Sequence, residues 1–170
     1  MNNVSPLPNI AAIVPAQPAT SAECPGATDA ATPGYRIDGK TLVIDHQAED
    51  IRHVLKGTCV IRGDVDVREG GLYLAGSVPE GRIDIPDGTL ILAEGAEIGA
   101  VITVKRLFNL GTVRTTTVTA TELLVNWGHI DAEEVGTASL RNGGTLVAQE
   151  VRYSDMESVG VLQGNLSRVS

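Results

Sequence analysis

Histidine and cysteine, two residue types that often carry acid–base, nucleophilic or metal chemistry, are few and scattered in this 170-residue chain. The histidines are His46, His53 and His129, and their spacing fits no zinc site, which needs three or four ligands held close together. Cys59 falls on a predicted core position and Cys24 in a predicted tail, so neither extends a ligand cluster. We therefore expect neither a metal ion nor a cofactor.

Two pairs of carboxylates are the remaining candidates, because paired carboxylates can serve general acid–base catalysis or metal binding. Asp64 and Asp66 alternate with apolar residues, and Glu133 and Glu134 are adjacent. Both patterns are more typical of the solvated face of a strand or of a turn. The Gly-x-Ser-x-Gly motif, the phosphate-binding loop and the dinucleotide fingerprint are all absent from the sequence. We predict no catalytic residue, and hence a protein that is not an enzyme.

The composition restricts the partners and the kind of core. A net charge of −8 disfavours binding to a nucleic-acid backbone. Apolar residues make up 42% of the chain but aromatic residues only 3%, so the core must consist of Val, Ile, Leu and Ala. We find no long apolar stretch and no basic leader, and two unpaired cysteines suit a reducing compartment. The expected location is the cytoplasm.

The strongest pattern in the sequence is a repeat of 16 or 17 residues. Glycine marks each unit, an apolar residue stands four positions before it, and another stands two positions after most of the glycines. The marking glycines are Gly95, Gly111, Gly128, Gly144 and Gly160. Asn109, Asn126 and Asn142 stand two positions before three of them. A fixed period of this kind is typical of a solenoid, in which each unit packs only against its neighbours.

The period predicts a β-helix. A unit of this length is too short for a helix plus a strand but accommodates three short strands with tight corners. Alternation of apolar and polar residues, as in Asp64-Val-Asp-Val67, supports strands. We therefore predict one all-β domain over residues 35–170, a parallel β-helix with three faces and roughly eight coils. The stacked asparagines should form a hydrogen-bonded amide ladder.

The first 34 residues differ from the rest of the chain. They contain six of its eight prolines and little apolar surface, so we predict a disordered tail. A short apolar cluster that includes Ile10, Ile13 and Val14 could make a weak, reversible membrane contact. After the tail, residues 48–55 fit either one helical turn or an irregular strand.

Several of these units resemble the bactofilins, a family of bacterial cytoskeletal proteins that form polymers. The resemblance is carried by Gly160-Val-Leu162-Gln-Gly164-Asn-Leu166, by Gly144-Thr-Leu146-Val-Ala148 and by the Pro-rich segment before the coils. It implies a right-handed triangular β-helix that polymerises end to end without nucleotide. It also implies a scaffold that positions cell-envelope proteins or other partners, in some cases at the inner face of the cell membrane.

Two surfaces are candidates for assembly. The ends of a β-helix present unpaired backbone groups and the edge of the core, and no amphipathic capping helix is evident after Leu166. We therefore predict end contacts by Leu162, Leu166 and Val169 at one end and by Leu42 and Ile44 at the other.

The second candidate is a lateral patch. If the apolar positions of the repeat point inward, alternation places their neighbours on the outside. These neighbours are Phe108, Leu110, Val125 and Trp127. An exposed apolar patch of this kind could bind a partner or a neighbouring filament, unless the N-terminal segment covers it.

The sequence leaves other functions open. A β-helix binding module of the phage or surface type, which does not polymerise, is the main alternative. A carbohydrate-active β-helix enzyme is less favoured, because the long loops that would form a substrate groove are missing. A left-handed acyltransferase helix would show coils of about 18 residues, and the observed period is shorter.

Overall fold

The computed structural model describes residues 34–170, and within that range every regular element is a β-strand. The strands are β1 Tyr35–Asp38, β2 Thr41–Ile44, β3 Ile51–Leu55, β4 Val60–Arg62, β5 Val65–Asp66, β6 Gly71–Leu74, β7 Ser77–Glu80, β8 Arg82–Leu92, β9 Glu97–Ile98, β10 Val101–Asn109, β11 Thr112–Asn126, β12 His129–Asn142, β13 Thr145–Ser158 and β14 Val161–Arg168. The predicted all-β class is confirmed. Apart from Gly34, the predicted tail lies outside the described residues.

Strands β3–β14 form a parallel solenoid of about seven coils. Each coil contributes a short segment to each of three faces, and the longest strands bend around the corners between faces. Face A is the ladder that joins β3, β6 and the C-terminal parts of β8 and β10–β13. We number the coils 1 to 7 by their segments on face A, from β3 to the end of β13. The alternatives for residues 48–55 are resolved, because a turn leads into strand β3 there.

The prediction of about eight coils is one too many, because strands β1 and β2 are not part of the solenoid. They pair antiparallel with each other only, in a hairpin with Asp38 opposite Thr41. Gly39 begins its two-residue loop with φ of 64°, a left-handed conformation that glycine adopts without strain. The predicted solenoid therefore began too early, because the Gly39-Lys40 loop joins two alternating segments into a hairpin instead.

The interior of the solenoid follows the predicted periodicity. The residues four before and two after Gly111, Gly128 and Gly144 point inward and are completely buried: Leu107, Leu124, Leu140, Val113, Ile130 and Leu146. Val118, Val135 and Val151 from the third face complete these layers. Each coil therefore buries a small aliphatic layer that is closed only by the coils above and below it.

The predicted asparagine ladder is confirmed. The side-chain amide of Asn109 donates to Asn126 Oδ1 at 2.8 Å, and that of Asn126 donates to Asn142 Oδ1 at 2.8 Å. The ladder ends where Asn142 Nδ2 donates to Ser158 Oγ at 3.1 Å. Each amide also donates to a main-chain carbonyl of the next coil, Thr145 O in the case of Asn126. Buried polar groups are thus satisfied along the rod.

Glycine occurs at the corner after this ladder because the backbones of successive coils touch there. A Cβ added at Gly128 would overlap the carbonyl oxygen of Gly111, and one at Gly144 or Gly160 would overlap the glycine below it in the same way. In coil 3 the corner position is held by Ala96, and Gly95 lies one residue earlier with φ of 93°. The predicted repeat treated Gly95 as equivalent to the corner glycines of the later coils, so it was wrong there by one residue.

We expect Gly128→Ala to destabilise the protein by about 1–3 kcal/mol, because the new methyl group must displace backbone atoms that have no free space. Gly136→Ala is the matched control, since a Cβ at Gly136 in the same coil meets nothing within 4 Å. Urea unfolding followed by circular dichroism measures both. Equal midpoints for the two variants would contradict the close-approach explanation.

The loss of stability on removing a side chain from the asparagine ladder should depend on its position, as measured by the same urea unfolding. Asn126→Ala removes a buried rung and leaves the Asn109 amide donor and the Asn142 carbonyl oxygen without their partner, at a cost of about 2–4 kcal/mol. Ser158→Ala removes only the terminal acceptor on an exposed residue and should cost less than about 1 kcal/mol. Similar losses in both variants would show that the ladder is not a cooperative buried network.

Candidate interaction surfaces

The outer edge of coil 7 is an open end of the hydrophobic core. Strand β14 pairs with β13 on one side, with Leu162 beside Leu146 and Leu166 beside Val151. Leu146 and Val151 are completely buried, whereas Leu166 remains 47% exposed. Within residues 34–170, no segment pairs with the other side of β14. The last layer of the core is therefore accessible from this end.

Several apolar side chains are exposed around this edge. The largest exposed fractions in this region belong to Val159, Val161, Leu166 and Val169. The predicted contact residues Leu162, Leu166 and Val169 do lie on the open coil, with Leu162 half-buried. Their part in assembly stays a prediction. Val159 and Val161 were not predicted, although they flank Gly160 at the same corner.

The predicted contacts at the opposite end are wrong. Leu42 and Ile44 belong to hairpin strand β2, which packs on the side of the rod rather than at its end. Leu42 is buried there against Phe108 and its neighbours. The alternation Thr41-Leu-Val-Ile44 is equally typical of a strand in a coil of the solenoid. For this reason the sequence alone placed these residues at the first coil.

The predicted lateral patch faces outward from the solenoid but is not exposed. Phe108, Val125, Leu110 and Trp127 belong to a second apolar cluster, separate from the interior of the solenoid. Phe108 and Val125 are completely buried, and Leu110 and Trp127 are half-buried. The hairpin covers them, so the interpretation of this patch as an open partner site is corrected.

Ile91 extends this covered face into coil 3. The sequence repeat placed Ile91 in the interior, four residues before Gly95, but Leu90 and Leu92 point inward there and Ile91 packs with Phe108. The reason is the one-residue offset of Gly95, since a shift by one residue moves a strand side chain to the opposite face. Face A thus presents Tyr73, Ile91, Phe108 and Val125 as an outward apolar stripe, which we call the lateral stripe.

The hairpin is held on the lateral stripe at both of its ends. Near its base, the rings of Tyr35 and Phe108 meet edge to face, with centroids 5.3 Å apart. Near its tip, the indole Nε1 of Trp127 donates to the carbonyl oxygen of Lys40 at 2.9 Å. The indole lies where a side chain on Gly143 would be, which explains the glycine at that position. These contacts orient the hairpin along the rod, from coil 4 towards coils 5 and 6.

A buried carboxylate fixes the connection between hairpin and solenoid. Glu49 is almost fully buried, its Oε1 lies 2.8 Å from an Arg106 guanidinium nitrogen, and its Oε2 accepts from Thr89 Oγ1 at 2.8 Å. Removal of one partner from such a buried ion pair typically costs about 3–5 kcal/mol. Sequence reasoning missed this contact, because nothing marks a single glutamate in a turn as buried.

Beyond the lateral stripe, the outward position of face A carries charged residues. In coil 6 the residue beside Val125 is Arg141, whose guanidinium nitrogens lie 2.7 Å from an Asp155 carboxylate oxygen and 3.5 Å from one of Glu157. The hydrogen bond and charge of Arg141 lower the pKa of the Asp155 carboxyl from its ordinary value. A groove of about 170 Å³ lies between these charges and the hairpin tip, with Ile37 and Val159 on its walls.

The residues considered for chemistry are not brought together. His46 packs beside Tyr73, with ring centroids 5.1 Å apart, and His53 Nε2 lies 3.2 Å from the carbonyl oxygen of Glu69. His129 lies in coil 5. Among residues 34–170, no group of three or more His, Cys, Asp or Glu side chains could hold a metal ion.

The acidic pairs lie at the surface. Asp64 and Asp66 are exposed in coil 1, and Glu134 lies at a corner of coil 5, where it pairs with Arg152 at 2.8 Å. Arg152 also binds Glu150 and thereby lowers the pKa of that carboxyl. Both are exposed ion pairs, one between neighbouring coils and one within strand β13, and such pairs contribute little to stability.

The proposed membrane-contact residues Ile10, Ile13 and Val14 lie outside the described residues. Over residues 34–170, no helix has the length and apolar character needed to cross a membrane.

Comparisons of the chain with protein-family models, with curated proteins and with solved structures give no match. Its function is therefore inferred from its own residues and geometry.

Because Trp127 is the only tryptophan in the chain, its fluorescence reports directly on the hairpin. Leu42→Asp places a carboxylate against the lateral stripe and should weaken docking of the hairpin by about 2–4 kcal/mol. We expect red-shifted Trp127 emission and stronger quenching by iodide, with an unchanged far-ultraviolet β-sheet signal. The control is Val43→Asp, at the adjacent exposed position. Unaltered emission in Leu42→Asp would contradict the covering role of the hairpin.

Proposed function

We propose that this chain is a structural protein that stacks end to end into filaments without nucleotide and acts as a scaffold for partner proteins. The supporting observation is the open edge of coil 7, where the core ends with Leu166 and its apolar neighbours exposed. The resemblance of the repeat units to bactofilins supports the same function.

The open edge favours addition of another strand. The free side of β14 carries main-chain N–H and C=O groups without strand partners among the described residues. A coil of another copy can supply these partners by β-augmentation and cover Leu162 and Leu166 at the same time. Main-chain hydrogen bonding and apolar burial would then act together, as they do between successive coils within the rod.

The distribution of polar residues favours a scaffold over a catalyst. His53 and His129 lie in different coils and His46 precedes the solenoid, while the acidic pairs Asp64/Asp66 and Glu133/Glu134 lie at the surface. A regular rod instead offers long, repetitive faces on which partners could align. By the resemblance, these partners include cell-envelope proteins. The proposed location is the cytoplasm, at the inner face of the cell membrane if Ile10, Ile13 and Val14 contact lipid.

Electron microscopy of the negatively stained protein, without nucleotide and at low and high salt, tests this function. We expect unbranched filaments. Discrete single particles at all concentrations would refute end-to-end assembly and favour the alternative, a β-helix binding module that does not polymerise.

The end contact is tested by Leu166→Arg, which places a charge on the exposed core edge without disturbing a buried residue. We expect loss of filaments and, by light scattering, particles that no longer grow with concentration. Val43→Arg is the control, because it adds the same charge at an exposed position on the hairpin. Filaments of normal length in Leu166→Arg would rule out this edge as the contact.

A further inference from the structure

The hairpin is joined to the rod by side chains rather than by a strand ladder. Strands β1 and β2 form their own two-stranded sheet, and Asp45 N closes its base by donating to Gly34 O at 2.7 Å. Its contacts with the solenoid are the apolar cluster around Leu42 and the hydrogen bond from Trp127 to Lys40. The hairpin can therefore leave the rod as a unit without breaking any hydrogen bond of the solenoid ladder.

The lateral stripe requires a cover. Without the hairpin and the segment that follows it, Tyr73, Ile91, Phe108 and Val125 would be exposed side by side across coils 2 to 5. The strands of the hairpin run from Phe108 in coil 4 to Trp127 in coil 5 and on towards coil 6, a distance of roughly 10 Å at about 4.8 Å between coils, which a four-residue strand can span. An isolated hairpin of this size is only marginally stable in water. Hairpin and stripe therefore stabilise each other, and each copy of the chain carries both.

The segment between them has the properties of a hinge. In residues 45–48, Gln47 N and Ala48 N donate to the Asp45 side chain at 2.9 and 3.1 Å, and all four residues are exposed. Glu49, the next residue, is fixed by Arg106 and Thr89. Opening the hinge breaks local hydrogen bonds and the contact between the rings of His46 and Tyr73. Four extended residues span up to about 14 Å, more than the roughly 10 Å between packed sheets.

We propose that neighbouring copies of this chain exchange their hairpins, so that β1–β2 of one rod packs on the lateral stripe of another and joins the two rods side by side. Exchange restores the contacts between the hairpin and the lateral stripe, because the occupant and the surface are identical in both cases. The free-energy difference is confined to the hinge and to the entropy of association. A high local concentration of rods favours the exchanged form. This lateral contact is independent of the end contact at coil 7.

Mixing two labelled pools of the full chain tests the exchange. Both pools carry Leu166→Arg to block end contacts, and Cys24→Ser and Cys59→Ser to remove the native thiols. One carries a donor dye on Thr41→Cys in the hairpin, and the other an acceptor on Glu157→Cys, which borders the groove at the hairpin tip. We expect energy transfer to develop after mixing and to be lost when Leu42→Asp is added. Absence of transfer at every concentration, or transfer that survives Leu42→Asp, would overturn the proposal.

Changing the hinge provides a second test in the Leu166→Arg background. The double substitution Gln47→Pro and Ala48→Pro removes the two N–H donors to Asp45 and favours an extended segment, so it disfavours closure of the hairpin and keeps the length of the hinge. We expect a dimer of twice the 17.8 kDa chain mass with Trp127 still covered. Insertion of four Gly and Ser residues between Gln47 and Ala48 is the control and should favour the monomer. A monomeric proline variant, or a dimer with exposed Trp127, would contradict exchange. Because both tests block the end contact, they remain valid whether or not filaments form.

Discussion

The close approach of successive coils at the corner after the asparagine ladder is the constraint on which the rest of this structure depends. The carbonyl oxygen of Asn126 accepts from both Gly143 N and Gly144 N of the next coil, at 2.8 and 3.0 Å. Glycine is needed there because any side chain would overlap the carbonyl below it. Once the corner is fixed in this way, the alternation of side chains along each strand sets which residues enter the interior. The aliphatic layers and the amide ladder follow from this register.

The same register produces two hydrophobic surfaces on face A. Its inner surface closes the solenoid, and its outer surface carries an apolar stripe from coil 2 to coil 5, which the hairpin and the segment after it cover. In coil 6 the equivalent outward residue is Arg141, which binds acidic residues of coil 7. In coil 1 it is Val54, which is apolar but 58% exposed, so the apolar residues extend beyond the covered stretch at that end. The rod therefore has two different apolar surfaces: the lateral stripe, which is covered, and the core edge at coil 7, which is open.

Much of this architecture could be predicted from the sequence, because a repeated backbone contact requires a repeated residue type. The glycines and asparagines at fixed spacing therefore predicted the coils, the inward positions and the amide ladder correctly. The offset at Gly95 was invisible, since a glycine in an ordinary turn and a glycine at a crowded corner look alike in a sequence. One residue of error there reversed the predicted direction of Ile91.

The candidate surfaces were harder to predict. Leu162, Leu166 and Val169 lie on the open coil as expected, because their position follows from the repeat alone. The covering of Phe108 depends on the antiparallel pairing of residues far away in the sequence, which periodicity does not detect. The Gly39-Lys40 loop was the available signal for that pairing. Burial of Glu49 depends on Arg106 and Thr89 in two later coils, and it left no trace in the local sequence.

The rung spacing of the ladder has a consequence for how such a chain can change in length. Asn126 and Asn142 are 16 residues apart and occupy equivalent positions on successive rungs. Loss or duplication of one whole coil returns every later residue to an equivalent environment, whereas an insertion or deletion of a few residues displaces the inward-facing side chains of all later coils. The rod is therefore modular. Its length can vary in steps of about 4.8 Å, one coil at a time, while its cross-section is preserved.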